Sequence, residues 1–114
     1  WLTYILSQIL SNSIKYHKPA GAFIKISASH TQNSVSLIIE DNGQGIPPED
    51  LPRIFEKGFT GSRRGNRKST GMGLYLCRKL CRRLGLSIQA QSEPGQGTRI
   101  ILTFPKGRLH LLED

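Results

Sequence analysis

Apolar positions recur along this chain with two periods, and the switches between them mark out its elements. Over residues 2–16, Leu2, Leu6, Ile9, Leu10 and Ser13 fall on one stripe and predict an amphipathic helix. A second stripe lies beside it. Asn12 follows Gln8 by four residues, and Lys15 and Tyr16 follow Asn12 by three and four, so all share an adjacent face. Pro19 and Gly21 then stop the helix. The period changes to two over residues 22–29 (Ile24, Ile26, Ala28) and 34–40 (Val35, Leu37, Ile39), predicting two strands joined through Thr31, Gln32 and Asn33.

A sharp turn from Asp41 to Pro48 leads into a short predicted helix over 49–55. Residues 57–71 are rich in Gly, Ser and Arg, with almost no apolar periodicity. They read as a long loop of the kind used for lids. Helical spacing returns over 72–84, with Gly73, Cys77, Leu80 and Leu84 on the buried line, Arg78, Lys79 and Arg82 on the wet one, and Gly85 as stop. Residues 86–91 and 98–104 alternate as a second hairpin across Pro94-Gly95-Gln96-Gly97. The pattern predicts an α+β fold: a two-layer α/β sandwich, one mixed sheet with helices packed on one face.

Composition narrows this picture. The chain of 114 residues suits a single domain, 1–114, and 37% hydrophobic with 21% charged residues is ordinary for a globular protein. No apolar run reaches spanning length. The start at Trp1, already inside a helix, predicts a piece of a longer protein that by itself behaves as a monomer. Cys77 and Cys81 lack a second ligand pair and read as small core or boundary residues of a reducing compartment. The net charge of +8 favours anionic partners without choosing among them.

Three places carry candidate chemistry. Asp41 ends a strand, where a carboxylate can accept a hydrogen bond from an exocyclic amine, and Gly43 and Gly45 let a flat base approach; the same triplet also suits a plain turn. Ser69-Thr70-Gly71-Met72-Gly73-Leu74 opens a helix, whose free amides and positive end make a phosphate cradle or a simple cap. Arg63, Arg64, Arg67 and Lys68 precede it as phosphate partners or solvated surface. On the first helix, Asn12 offers a neutral oxygen to a magnesium ion and Lys15 a point charge to phosphates; a buried, backbone-satisfied Asn is the alternative.

Taken together, Gln8-x-x-x-Asn12, Asp41-x-Gly43-x-Gly45, Phe55-x-x-x-Phe59, Gly71-x-Gly73 and Gly95-x-Gly97-Thr98 resemble, in order and spacing, the Bergerat-type ATP-binding fold shared by gyrase, Hsp90, mismatch-repair proteins and histidine kinases. The resemblance covers nearly the whole chain. It implies Asn12 as the magnesium ligand, Lys15 on the phosphates, Tyr16 beside the nucleotide, and Asp41 on the adenine amine. Gly43, Gly45 and Ile46 would shape the base pocket. Residues 57–71 would form the ATP lid, anchored by Phe55 and Phe59, with Thr70, Gly71, Met72, Gly73 and Leu74 at the phosphates. Gly95, Gly97 and Thr98 match the family's last glycine motif.

Within that resemblance Gln8 stands where the hydrolysing branches carry a general-base carboxylate, and a neutral amide cannot take the proton. This implies a histidine kinase of a two-component system, with Gln8, Asn12 and Lys15 as its catalytic set and Mg-ATP as phosphoryl donor. Its partners would be a histidine-bearing dimerisation domain of the same parent protein and a response regulator. None of His17, His30 or His110 has the following acid and proline expected of the acceptor, so that histidine lies elsewhere. The wording from Ile54 to Gly61 and from Ser69 to Leu76 resembles intramembrane-sensing kinases of Gram-positive bacteria that work beside ABC transporters. That implies a cytoplasmic domain of a protein held in the cytoplasmic membrane. The alternatives are a serine-directed kinase of anti-sigma-factor type, an ATP-driven clamp, and a basic nucleic-acid-binding module; the sequence offers no aromatic platform for the last, so no nucleic-acid partner is expected.

Overall fold

The structure is a computed structural model that describes residues 1–18, 20–59 and 72–112. The first stripe forms α1, Leu2–Lys15. Ile5, Ile9 and Ser13 are its buried line, while Leu2, Leu6 and Leu10 pack at the margin. Of the two expected stops, Pro19 lies outside the described residues, and Gly21 turns the chain with φ 68°.

The alternating segments form β1 (Ile24–His30), β2 (Ser34–Asp41), β3 (Ser87–Glu93) and β4 (Gly97–Pro105). They make a single sheet in the order β1-β2-β4-β3, antiparallel at every pairing. This corrects the expected mixed sheet. The helix between β2 and β3 does bring the chain back so that those strands run in the same direction, but β4 lies between them and hydrogen-bonds both.

Register sorts the two faces. Ile26, Ile39, Ile100 and Ala90 lie side by side across the sheet, as do Ala28, Leu37, Leu102 and Ile88. Ile39, Ile100, Ile88 and Leu102 are buried and join Ile5, Ile9, Cys77, Cys81 and Phe104 in the core beneath the helices. On the reverse face, Lys25, Glu40, Arg99 and Gln91 follow one another, with an Arg99–Glu40 ion pair at 3.4 Å. Two layers result, as expected. The edge strand β1 departs most from the alternation: Ile24 and Ile26 keep 38% and 53% of their surface exposed.

α2 spans Gly73–Leu84 and ends at Gly85, whose φ of 77° lets the Leu86 amide donate to the Cys81 carbonyl at 2.8 Å. Its buried line runs through Cys77 and Cys81, with Leu80 and Leu84 half-buried beside them. Both cysteines are free thiols. Desolvation, with a smaller push from Cys81, raises the Cys77 thiol to about 12, and burial raises Cys81 to about 11.

The short helix expected over 49–55 contracts to a 3-10 turn, Leu51–Arg53. Pro47, Pro48 and Pro52 bring no amide donors, so most bonds here close over three residues, as from Arg53 N to Asp50 O at 2.8 Å. A second 3-10 segment, Lys106–Leu112, follows β4 and packs Leu109 and Leu111 on the core.

Candidate functional site

Asp41 ends β2 opposite Ile24 of β1 and Thr98 of β4, so the sheet places its side chain under the last turns of α1. Its Oδ1 accepts from the amides of Gly43 at 2.9 Å and Thr98 at 3.2 Å, and its Oδ2 accepts from the Ser13 hydroxyl at 2.8 Å. A carboxylate has room for about four donors. One acceptor position, on Oδ2, is therefore left for a ligand.

The glycines also serve a packing role that the sequence does not show. A Cβ on Gly43 would meet the Tyr16 carbonyl, one on Gly45 the Glu93 carbonyl, and one on Gly97 the Asp41 carbonyl. Backbone, rather than open space for a base, fills the room that side chains would need. The glycines thus weld three elements together around Asp41. The bonds agree: Gln44 N donates to Tyr16 O at 3.0 Å, and Gly95 N to Gln44 O at 2.7 Å. Gly45 and Gly97 also hold φ of 75° and 94°, a region L side chains avoid.

Between α1, the Asp41–Ile46 turn, the start of α2 and β4 lies a narrow cleft of about 20 Å³. Its walls are apolar: Ile9, Ile46, Ile54, Leu74 and Ile100. Its polar points are Asn12, Ser13, Tyr16, Asp41, Gln44 and Thr98. Apolar walls with one carboxylate at the floor carry the chemistry for a flat heterocycle that presents an amino group, and its entry requires the walls to part. Asn12 is half-buried at the rim, and its side chain makes no hydrogen bond to another described residue, so its amide oxygen is available.

Several expected residues meet here and several do not. Asn12, Tyr16, Asp41, Gly45, Ile46, Leu74 and Thr98 line the cleft. Gly43 supports Asp41 from behind. Gln8 lies against Gly73, where a Cβ would strike its Oε1, so it faces the start of α2. Met72, half-buried, caps that helix. Lys15 is exposed on the last turn of α1 and does not line the cleft. Phe55 packs on the core edge, and Phe59, half-buried, lies beneath the Arg53 guanidinium at 4.6 Å. Thr70 and Gly71, with most of the expected lid, lie outside the described residues.

Sequence reasoning missed Ser13 and Ser92. Ser13 falls on the apolar stripe, and a serine on a buried helix line signals a polar partner across the interface. The Ser92 hydroxyl donates to Gly97 O at 2.7 Å and accepts from Ile46 N at 2.8 Å, fastening the β3–β4 hairpin to the wall of the cleft. Its alternation on β3 carried no such sign.

A two-layer α+β domain with this carboxylate-floored cleft is a nucleotide-binding domain. The model of the histidine kinase-, DNA gyrase B- and HSP90-like ATPase family matches residues 1–108, and the chain belongs to that family as an ATP-binding catalytic domain. It is 43% identical over 107 residues to sensor protein BceS of Halalkalibacterium halodurans, covering 93% of this chain and 31% of that protein. It is 45% identical over 107 residues to sensor histidine kinase GraS of Staphylococcus haemolyticus, covering 93% and 30%. The chain thus spans about a third of the length of these relatives. Among solved structures, the catalytic domain of histidine kinase ThkA superposes with a TM-score of 0.75 at 27% identity, over 92% of this chain and 67% of that one. Mycobacterial sensor histidine kinase MprB gives 0.79 at 22% identity over 90% and 70%, a likeness of fold alone.

Proposed function

We propose that this chain binds Mg-ATP in the cleft above Asp41 and donates the γ-phosphoryl group to a histidine on a separate dimerisation domain of the same sensor kinase. The observation that carries the nucleotide assignment is the spare acceptor position on Asp41 Oδ2 at the floor of an apolar slot. Adenine presents an amine there, whereas guanine presents a carbonyl oxygen that a carboxylate repels.

Asn12 fits a magnesium ion. The cleft offers the side-chain amide oxygens of Asn12 and Gln44, and among the described residues no three His, Cys, Asp or Glu side chains converge. Such a site suits a cation that keeps its waters and takes its other ligands from phosphates. When bound, the ion neutralises phosphate charge. The chain's own residues orient the nucleotide: Asp41 and Ser13 hold the base, Tyr16 and Ile46 flank it, and Leu74 lies in the first turn of the helix whose free amides serve the phosphates. Lys15, exposed on α1, reaches the phosphates only by extending over the rim.

In the transfer, the bond from the γ-phosphorus to the β–γ bridging oxygen breaks as a bond to an imidazole nitrogen forms, and ADP leaves. Gln8 supports transfer over hydrolysis, because its amide cannot activate water. The segment 57–71 acts as a lid. The longer protein sits in the cytoplasmic membrane, passes its phosphoryl group to a response regulator, and works beside an ABC transporter. Titration with Mg-ATP and Mg-GTP tests the site. ATP binds, GTP binds at least about tenfold more weakly, and Asn12→Ala weakens Mg-ATP far more than metal-free ATP. Equal affinity for the two nucleotides overturns the base assignment.

A further inference from the structure

α2 turns a second face away from the core. On it, Arg78, Lys79, Arg82 and Arg83, together with Lys57 from the segment after the 3-10 turn, line a groove of about 500 Å³. Phe55 and Tyr75, both half-buried, form its apolar floor. We propose that this groove docks an acidic amphipathic helix of a partner protein, with an apolar side chain on Phe55 and Tyr75 and carboxylates against the surrounding cations.

Charge complementarity carries the choice of occupant. Among the described residues the only acid lining the groove is Glu56, and its carboxylate is held by Arg53 at 3.1 Å. None of the five cations pairs with an acid among the described residues; Arg78 instead rests its guanidinium 5.6 Å from the centre of the Phe55 ring. The neighbouring sequence brings no relief, since residues 60–71 contain Arg63, Arg64, Arg67 and Lys68 but no acid. Arg82 and Arg83 also complement the carboxyl end of α2. That accounts for neither Arg78 and Lys79 in mid-helix nor Lys57 from another segment. An aromatic floor beside a cationic rim matches a helix with an apolar crest and acidic flanks better than a flat lipid surface, which would leave the floor uncovered.

The location gives docking a consequence. Leu74 lines the nucleotide cleft and Tyr75 lines the groove, so adjacent residues of one helix turn serve both. A helix seated in the groove also touches Lys57, where the segment leading toward the lid begins.

The test is fluorescence anisotropy with a labelled helical peptide of heptad-spaced Leu and Glu, and with its Gln-for-Glu counterpart, in the absence of nucleotide. The acidic peptide binds and the neutral one does not. Raising salt from 0.05 to 0.2 M weakens binding several-fold. Arg78→Glu with Arg82→Glu weakens it by about tenfold or more while leaving ATP affinity within about twofold. Should that pair unfold the domain, the exposed Lys79→Glu with Arg83→Glu replaces it. Equal binding of both peptides, indifference to charge reversal, or tighter binding of phosphatidylglycerol vesicles or oligothymidylate overturns the proposal. Because nucleotide is absent, failure here leaves the ATP site untouched, and the two readings are separable.

Discussion

Asp41 already accepts hydrogen bonds from Ser13, Gly43 and Thr98 before any ligand arrives, which changes how it is best probed. Asp41→Ala would strand all of those donors and lower stability together with affinity. Asp41→Asn keeps shape and Oδ1 but loses the charge. It is expected to leave the melting transition nearly in place while removing a charge-assisted bond of about 1.5–3 kcal/mol. That corresponds to about ten- to hundred-fold weaker ATP by calorimetry. Ser13→Ala frees one side of the carboxylate and is expected to weaken ATP several-fold. Gly97→Ala acts on the fold instead. Its φ of 94° and the Asp41 carbonyl in the way of a Cβ predict a loss of about 1–3 kcal/mol from backbone strain alone, read from urea denaturation. Unchanged stability in Gly97→Ala would show that the turn relaxes freely and that the glycine is not a weld.

Among the elements, α2 serves several structures at once: its Cys77 and Cys81 line packs on the sheet, Leu74 borders the cleft, and its other face forms the basic groove. Folding raises both thiols above their ordinary value of 9.0, to about 12 and about 11. The native state therefore holds protons that the unfolded chain releases once pH passes about 9. Stability from these groups is complete below that pH and falls as pH rises toward 11 to 12. The melting temperature should accordingly decline above pH 9, and less so in a Cys77→Ala, Cys81→Ala variant. At pH 7.5 the same protonation makes alkylation by iodoacetamide slow in the native state and rapid in urea. Fast native labelling would contradict this burial.

At the scale of the whole molecule, the sheet is held from its centre. β4 pairs with both β2 and β3, and Leu102 within it is fully buried against both helices' apolar lines. Leu102→Ala is expected to cost about 2–5 kcal/mol, a large share of the stability of a domain of this size, read as a lowered unfolding midpoint by circular dichroism. A native spectrum with an unchanged midpoint would place the core elsewhere. Ile38, on the opposite face of the central strands, provides the comparison: half-buried, it should tolerate Ile38→Val within about 1 kcal/mol.

By itself the sequence determined the elements, because periods of two and 3.6 are local properties: Leu2–Lys15 and Gly73–Leu84 as helices and the two hairpins fall close to where the pattern put them. It also carried the ordered motifs, Asn12, Asp41, Gly45 and Thr98 among them, on which the resemblance to the ATP-binding fold rests. Only the tertiary structure decided what those residues do for one another. That β4 lies between β2 and β3, making the sheet antiparallel throughout, depends on which strand pairs with which, and alternation is blind to partners. That Gly43, Gly45 and Gly97 pack against carbonyls, and that Ser13 and Ser92 hold Asp41 and Ile46, depends on approaches between segments as far as 57 residues apart, as between Asp41 and Thr98. The basic groove beside Phe55 arises in the same way, from cations on two segments that meet only when the chain is folded.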